Sequence, residues 1–367
     1  MRFVYFTQSL VSDWNHGNAH FLRGVARELL RRGHEVALYE PRASWPRMQL
    51  LREHGRAPER AFAAAFPELV ATRFDAALDL ELVVAGADVV LVHEWNDPRL
   101  LRRLGVLRRR RGDFRLLFHD THHRLATAPE EIERFDLRNV DGVLAFGASL
   151  CDLYLRRGLV ERTWIWGEAA DTTVFRPLPG VEREGDLVFI GNWGDGDRTD
   201  ELREFLLEPA RALGLTGTVH GVRYPEEGLR AVAASGLRYG GWIANHRVPE
   251  AFARHAVTVH VPRRAYAEAL PGIPTIRPFE ALACGIPLVS APWDDVEGLF
   301  TAGRDYLPAR DGAEAAESIA RILSDPGLAA DLARHGLETI RARHTCAHRV
   351  DELLAICAEL DTEELAA

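Results

Sequence analysis

The chain contains no lysine, and all 45 of its Lys-or-Arg positions are arginine. Any clamp on a phosphate must therefore use guanidinium groups or backbone N–H groups. Long apolar runs are also missing, which excludes a membrane-spanning helix from the expected fold. The opening stretch, Met1–Thr7, reads as a strand and has no apolar signal-peptide core or cleavage site, so no secretory leader is expected. Cysteine is scarce: Cys151, Cys284, Cys346 and Cys357 fall on helical patterns without metal-ligand spacing and read as reduced thiols of a cytoplasmic protein. Positive charge is in deficit, with a formal net charge of −9, so nucleic acid is not expected as a partner.

The 367 residues exceed one typical core and suit two domains, and 47% hydrophobic with 27% charged residues is an ordinary globular composition. In the first half, spacing predicts strands at Arg2–Thr7, Glu35–Glu40, Asp88–Val92, Phe114–Phe118 and Gly142–Phe146. Helices are predicted at Asn18–Arg32, Asp97–Arg111 and Ser149–Arg157, and residues 45–85 read as helical. The pattern restarts after Pro177, with strands at Asp186–Ile190, Thr216–His220, Leu237–Gly240 and Val257–Val261. Helices fill Asp311–Leu323, Gly327–Arg341 and Ala347–Leu360. Continuous apolar strands between helices predict parallel sheets covered on both faces. The expected fold is α/β: two doubly wound, Rossmann-like domains, residues 1–170 and 171–345, facing a cleft. A C-terminal helix, residues 346–367, is expected to pack back toward the first domain.

The most informative string is Arg277-Pro278-Phe279-Glu280-Ala281-Leu282-Ala283-Cys284-Gly285-Ile286-Pro287-Leu288-Val289-Ser290. It reads as a short helix, a tight turn and a buried strand. Glu280 is an expensive residue on such an apolar helix, because a buried carboxylate needs a partner. In the N-terminal half of a helix it can face a ligand while upstream N–H groups bind an anion, which suits a ribose diol beside a pyrophosphate. Gly272, Ile273, Pro274 and Thr275 lie just before this helix and offer a second anion cradle. A further candidate is the loop Gly191-Asn192-Trp193-Gly194-Asp195-Gly196-Asp197-Arg198, which follows a strand. Its glycines let a ligand approach the backbone, and Arg198 is placed to pair with a diphosphate. The competing structural reading is an ordinary loop with Asp197 as helix cap and Arg198 solvated. Trp242 and Ile243 are candidates to sandwich a nucleotide base, although a loop indole more often packs.

These strings resemble the nucleotide-sugar-binding segment of glycosyltransferases of the GT-B fold, which has the form F/L-E-A-x-A-C/S-G-x-P-V-V. Ala170-Asp171-Thr172-Thr173-Val174-Phe175-Arg176-Pro177 is similar to the interdomain passage of the same families. The E-x7-E motif of the large retaining families is not met, because Gly272 stands at the position of its first glutamate. The Phe279–Gly285 string, that departure, and His344-Thr345-Cys346-Ala347-His348-Arg349 bring the chain nearest to the CgeB-like group, named for a spore-maturation protein. The resemblance implies a GT-B architecture and transfer of a sugar from a nucleotide-diphosphate sugar to a glycan, small molecule or other acceptor. It implies donor contacts from Gly191, Asn192, Arg198, Gly272, Ile273, Pro274, Thr275 and Glu280, and neither cofactor nor metal. It leaves retention or inversion open. Two other readings fit the same residues: a nucleotide-sugar epimerase of this fold, and a non-catalytic sugar-nucleotide-binding or assembly protein.

Acceptor-side candidates come from the first half. Asp13-Trp14-Asn15-His16-Gly17-Asn18-Ala19-His20 lies between the first strand and the first helix, where a doubly wound domain presents ligands. Asp13 and His16 are each candidates for general base, with Gly17, Asn18 and His20 lining the acceptor side. The structural alternative has Asn18 capping the helix and His16 solvated. His119-Asp120-Thr121-His122-His123 ends a strand, and the resemblance puts a histidine there near the transferred sugar. His119 or Asp120 is expected as sugar ligand or base. The loop alone is too compact a ligand set to imply zinc. His93 and Glu94 are expected to shape the acceptor pocket or simply to pack. The run from Arg102 to Arg111 reads as a solvated helix face whose basic last turn meets its own dipole, or as a weak peripheral contact with the inner face of a membrane.

Overall fold

The computed structural model divides the chain into two units, Met1–Gly167 with Cys346–Ala367, and Glu168–Thr345. It describes residues 1–194 and 196–366; Asp195 of the glycine-rich loop and Ala367 lie outside the described residues.

The first unit is built on a seven-stranded parallel sheet. Its strands are β1 (Arg2–Phe6), β2 (Glu35–Pro41), β3 (Ala71–Phe74), β4 (Val89–His93), β5 (Arg115–Asp120), β6 (Gly142–Ala145) and β7 (Thr163–Ile165). Their order is β3-β2-β1-β4-β5-β6-β7, so the winding reverses between β1 and β4. β4 and β5 are buried along their whole length, and each carries an apolar run, Val89–Val92 and Leu116–Phe118. The segment 45–85 corrects the helical expectation. It holds helices Trp45–His54 and Ala57–Ala65, but then turns into β3, a four-residue edge strand too short and too exposed to show a period. β7 escapes sequence reading for the same reason, at three residues. The C-terminal helix Cys346–Ala366 belongs to this unit. Arg32 bonds Asp351 Oδ1 at 2.5 Å and the Ala347 carbonyl at 3.0 Å, Arg115 bonds Asp361, and the Trp166 indole donates to the Arg349 carbonyl at 2.8 Å.

The second unit carries a six-stranded parallel sheet. Its strands are β8 (Gly185–Ile190), β9 (Gly217–His220), β10 (Arg238–Gly241), β11 (His255–His260), β12 (Leu288–Ser290) and β13 (Leu307–Pro308). The order β10-β9-β8-β11-β12-β13 reverses between β8 and β11. Leu187, Phe189, Val219, Val257, Val259 and Val289 of the strands meet Leu206, Ile319 and Ile322 of the covering helices in one core. Helix Ile276–Cys284 is buried at every position except Arg277, and Gly285, left-handed at φ 66°, ends it. No helix among the described residues is long and apolar enough to cross a membrane.

Candidate functional site

In a doubly wound sheet, ligands meet the carboxyl ends of the strands where the winding reverses. In the second unit that point lies between the exits of β8 and β11, and Arg198 spans it. Its guanidinium donates to the Asn192 carbonyl at 2.5 Å and to the Val261 carbonyl at 2.7 Å. Arg198 itself occupies the cap position of helix Thr199–Leu202, so Asp197 does not cap it and Arg198 is not a solvated loop residue. Glycine is required around it: a Cβ on Gly191 would sit 2.7 Å from the Phe189 ring, and Gly194, at φ +94°, would meet the Arg198 stem at 2.9 Å. Burial first, then the nearby cations Arg263 and Arg277, lower the Arg198 pKa to about 10, so it stays charged at neutral pH. Three guanidinium groups are therefore gathered here, Arg277 paired with Glu280 and Arg263 beside Asp197.

Strand ends frame this place with backbone. The Gly221 N–H donates to the Gly241 carbonyl at 3.0 Å, the Tyr224 hydroxyl to the Gly191 carbonyl at 2.9 Å, and Tyr239 to the Gly221 carbonyl at 2.8 Å. Asn192 accepts from the Val222 N–H at 2.9 Å, so its side chain braces the loop. Trp242 and Ile243 are half-buried between β10 and the turn Asn245–Arg247.

Glu280 is fully buried, and both carboxylate oxygens have protein partners. Asn245 Nδ2 donates to Oε1 at 2.8 Å, and Arg277, one turn earlier, ion-pairs with Oε2. The buried charge thus finds the partner it needs within its own unit. The cradle before this helix is narrower than expected. The Gly272 N–H is taken by the Asp294 carbonyl at 2.6 Å and that of Ile273 by the Leu270 carbonyl at 3.3 Å, while Pro274 has no N–H. What remains is the start of helix Ile276–Cys284, whose first N–H groups have no intrahelical acceptor. Thr275 immediately before it holds φ 65°, a strained conformation for a β-branched residue, of the kind that concentrates at ligand sites.

In the first unit the corresponding reversal lies between the exits of β1 and β4. The loop after β1 is tied down by Glu40, whose Oε2 accepts from the N–H groups of Leu10 at 3.0 Å and Val11 at 3.2 Å. Arg23 donates to the Leu10 carbonyl and forms a 2.9 Å ion pair with Asp13, both side chains being nearly inaccessible. Asp13 is therefore held in an ion pair within this loop. His16 is buried, not solvated; its ring centre lies 6.1 Å from that of His93, and His93 lies 5.3 Å from His119. Burial holds His16 and His119 down to a pKa of about 3, so both imidazoles are neutral and poor bases. Asn18 stands at the cap position of helix Ala19–Arg31 but makes no side-chain cap bond; it and Gly17 are half-buried and His20 is buried.

Around β4 and β5 the polar groups are buried and linked. The Tyr5 hydroxyl meets His119 Nδ1 at 2.8 Å. Glu94 Oε2 lies 3.0 Å from His93 Nε2, and Thr121 donates to Glu94 Oε1 at 3.2 Å. Burial, then the Asp120 charge, push the Glu94 carboxyl well above its usual range, and burial pushes His93 well below its own, so this pair is neutral. Asp120 differs. It accepts from the Tyr154 hydroxyl at 2.6 Å and the His122 N–H at 3.0 Å, and burial raises its pKa to about 6 against the pull of those bonds. Among these groups Asp120 is the one poised to change charge near neutral pH. His16 Nε2, His93 Nδ1 and His119 Nε2 are buried ring nitrogens without a protein partner among the described residues.

Tyr154, Arg263, Arg277 and Asn245 are members of these sites that sequence reading passed over. Arg277, three residues before Glu280, carried a usable signal, since helical i, i+3 spacing pairs opposite charges. No group of three or more His, Cys, Asp or Glu side chains among the described residues is arranged to hold a metal ion. The arginine run is largely engaged within the fold: Arg103 donates to the Ala76 and Leu78 carbonyls, Arg108 pairs with Asp141, Arg110 with Glu81 and Arg111 with Asp113. That reduces the expected membrane-facing charge to Arg102 and Arg109.

Residues 198–355 match the family described as glycosyl transferase-like. Solved structures resemble the whole chain. Sucrose-phosphate synthase of Thermosynechococcus elongatus superposes with a TM-score of 0.69 at 16% identity, covering 99% of this chain and 100% of that one. HepE of Anabaena, solved in complex with UDP, gives 0.67 at 15% identity over 98% and 100%. A glycosyltransferase from Rickettsia africae ESF-5 gives 0.65 at 11% identity over 98% of each. No curated protein matches the sequence. The fold is that of the GT-B glycosyltransferases. The matched segment lies mostly within the second unit and is similar to the glycosyl transferase-like family.

Proposed function

We propose that the chain moves a sugar from a nucleoside-diphosphate sugar to an acceptor hydroxyl without a metal cofactor, the second unit holding the donor and the first unit the acceptor. The observation that carries this reading is the arginine group at the reversal of the second sheet, where Arg198 bridges the exits of β8 and β11 in the field of Arg263 and Arg277. A diphosphate set there meets cations and the free N–H groups of helix Ile276–Cys284. These groups stabilise the charge that develops on the leaving diphosphate, the task a divalent ion performs elsewhere. Glu280, on this same helix and held by Asn245 and Arg277, is the acceptor for the ribose hydroxyls. Trp242 and Ile243 flank the base. The UDP bound by HepE supports uridine as the nucleoside to try first.

On the acceptor side Asp120 is the general base. It takes the proton of the acceptor hydroxyl as that oxygen attacks the anomeric carbon and the diphosphate departs. The unpartnered nitrogens of His16, His93 and His119 supply neutral hydrogen-bonding positions for sugar hydroxyls. An epimerase would release nucleotide without any acceptor, so the test is release of nucleoside diphosphate from UDP-sugars with and without an acceptor extract, in excess chelator. Acceptor-dependent release that survives chelation supports the proposal. Failure to bind any nucleoside diphosphate sinks it, and abolition by chelator with rescue by one divalent ion overturns the metal-free step.

A further inference from the structure

Beyond β4 the chain leaves Glu94 and enters a depression of about 660 Å³ in the first unit. Trp95, Asn96, Pro98, Arg99, Arg102 and Arg134 line it, together with Asp97 and Glu133. Trp95 is 39% exposed, although an indole normally prefers burial. It is also fixed in place: the Arg124 guanidinium lies 3.9 Å from its ring centre, held there by a 3.0 Å bond to the Glu94 carbonyl, and His122 meets the ring edge-on at 5.0 Å. A rigid, partly exposed indole beside a polar depression is a platform on which the C–H face of a pyranose can lie.

The charges of the depression do not cancel. Asp97 is paired to Arg99 at 2.6 Å, and Glu133 to Arg157 at 3.1 Å. Arg102 and Arg134 are exposed; Arg134 acts on Asp97 and Arg102 on Asp136 through space, but among the described residues neither forms an ion pair within 4.0 Å. Two unpaired guanidinium groups on one concave surface suit a ligand that brings its own anion, and their planar forks match carboxylate or phosphate oxygens. The site opens where the doubly wound sheet presents ligands, one residue beyond Glu94 and on the strand beside the one that ends in Asp120.

We propose that this depression, with Trp95 as stacking platform and Arg102 and Arg134 as anion clamp, is an acceptor subsite for a saccharide bearing an acidic group, a carboxylate or a phosphate ester. The inference rests on the glycosyltransferase reading for its word acceptor, but its binding chemistry can be tested alone.

Ligand-observed NMR titrations use glucose, glucuronate, glucose 6-phosphate and inorganic phosphate, with UDP as an independent probe of the donor site. Wild-type protein should bind glucuronate or glucose 6-phosphate at least about tenfold more tightly than glucose, and the tighter of the two identifies the anion. The double variant Arg102→Ala/Arg134→Ala should lose that preference. Trp95→Ala should weaken the acidic sugars and leave inorganic phosphate unchanged. Because all three residues are exposed, circular dichroism and UDP affinity should match wild type. Equal binding of glucose, an unaffected double variant, or inorganic phosphate binding as tightly as glucose 6-phosphate overturns the subsite. Acidic-sugar binding without UDP binding sinks the donor reading and leaves this subsite standing; the reverse pattern does the opposite.

Discussion

The Tyr154 hydroxyl donates a 2.6 Å hydrogen bond to Oδ2 of Asp120, and both side chains are fully buried. Burial alone would keep such a carboxyl protonated. The hydroxyl and the His122 N–H favour the carboxylate instead, and the balance leaves a pKa of about 6. A base that ionises just below neutral pH is what deprotonation of an acceptor hydroxyl calls for. Burial lowers the basicity of the neighbouring His93 and His119 imidazoles, which makes them weaker proton acceptors than Asp120.

The pH profile follows from that bond. Activity per unit donor should rise through about pH 6 as Asp120 loses its proton. Tyr154→Phe removes a bond to the charged form, so the same limb should move to higher pH while the plateau is largely retained. Asp120→Asn should cost roughly 10²- to 10⁴-fold in kcat. A limb that stays in place in Tyr154→Phe, or an Asp120→Asn variant with near-normal kcat, removes Asp120 as the base.

Stability should respond in the opposite sense to activity. Folded Asp120 titrates at about 6, above its ordinary 3.8, so between those values the folded state binds more protons than the unfolded chain. Stability contributed by this site is therefore full below the lower value and is lost as pH rises through the higher one. Asp120→Asn should melt higher than wild type at pH 7.5 and match it near pH 3.5. Melting curves of the two proteins at both pH values check this; a lower melting temperature for the variant at pH 7.5 contradicts it.

Arg198 serves two ends that mutation can separate. It braces the loop after β8 against β11, and its charge faces the proposed diphosphate. Arg198→Lys keeps the charge but not the two-carbonyl brace, so both the melting temperature and UDP affinity should fall. Arg263 is partly exposed, and its side chain makes a 3.4 Å contact with Asp197. Arg263→Ala should leave melting unchanged, weaken UDP by an order of about 1.5–3 kcal/mol, and leave uridine binding alone. Parallel losses for uridine and UDP in that variant refute a phosphate role.

The division between what the sequence revealed and what it hid follows from range. The buried strands β4, β5, β8 and β11 announced themselves because each carries consecutive apolar or β-branched residues at its centre, and the Phe279–Gly285 string marked the helix that carries Glu280. Edge strands β3 and β7 were too short to repeat a pattern. The partner of Asp120 lies 34 residues away on helix Ala148–Arg156, and the second carbonyl bound by Arg198 lies 63 residues away. No local spacing encodes such pairs. The ion pair of Asp13 and the burial of His16 were not legible, because sequence cannot show that Arg23 and Glu40 tie down their loop.

Glu280 gives the sharpest test of the donor site, because its two possible roles touch different ligands. The carboxylate is fully buried and shared between Asn245 and Arg277. Glu280→Gln keeps the side-chain volume, so the packing of Phe279, Leu282 and Ala283 should survive. The variant leaves Arg277 without its countercharge, and since that side chain is 27% exposed, water can take over part of the pairing, so apo melting should fall only modestly. If ribose hydroxyls donate to Glu280, the lost charge-assisted bonds should weaken uridine and UDP equally, by roughly ten- to a hundredfold, because both carry the ribose. Pyrophosphate binding should then be unchanged. If Glu280 acts only by holding Arg277 in place, UDP and pyrophosphate should weaken together while uridine is spared. Calorimetric titration of the three ligands on one preparation, beside its melting curve, separates the outcomes; we expect the first, and the second would move the ribose contact elsewhere on the site.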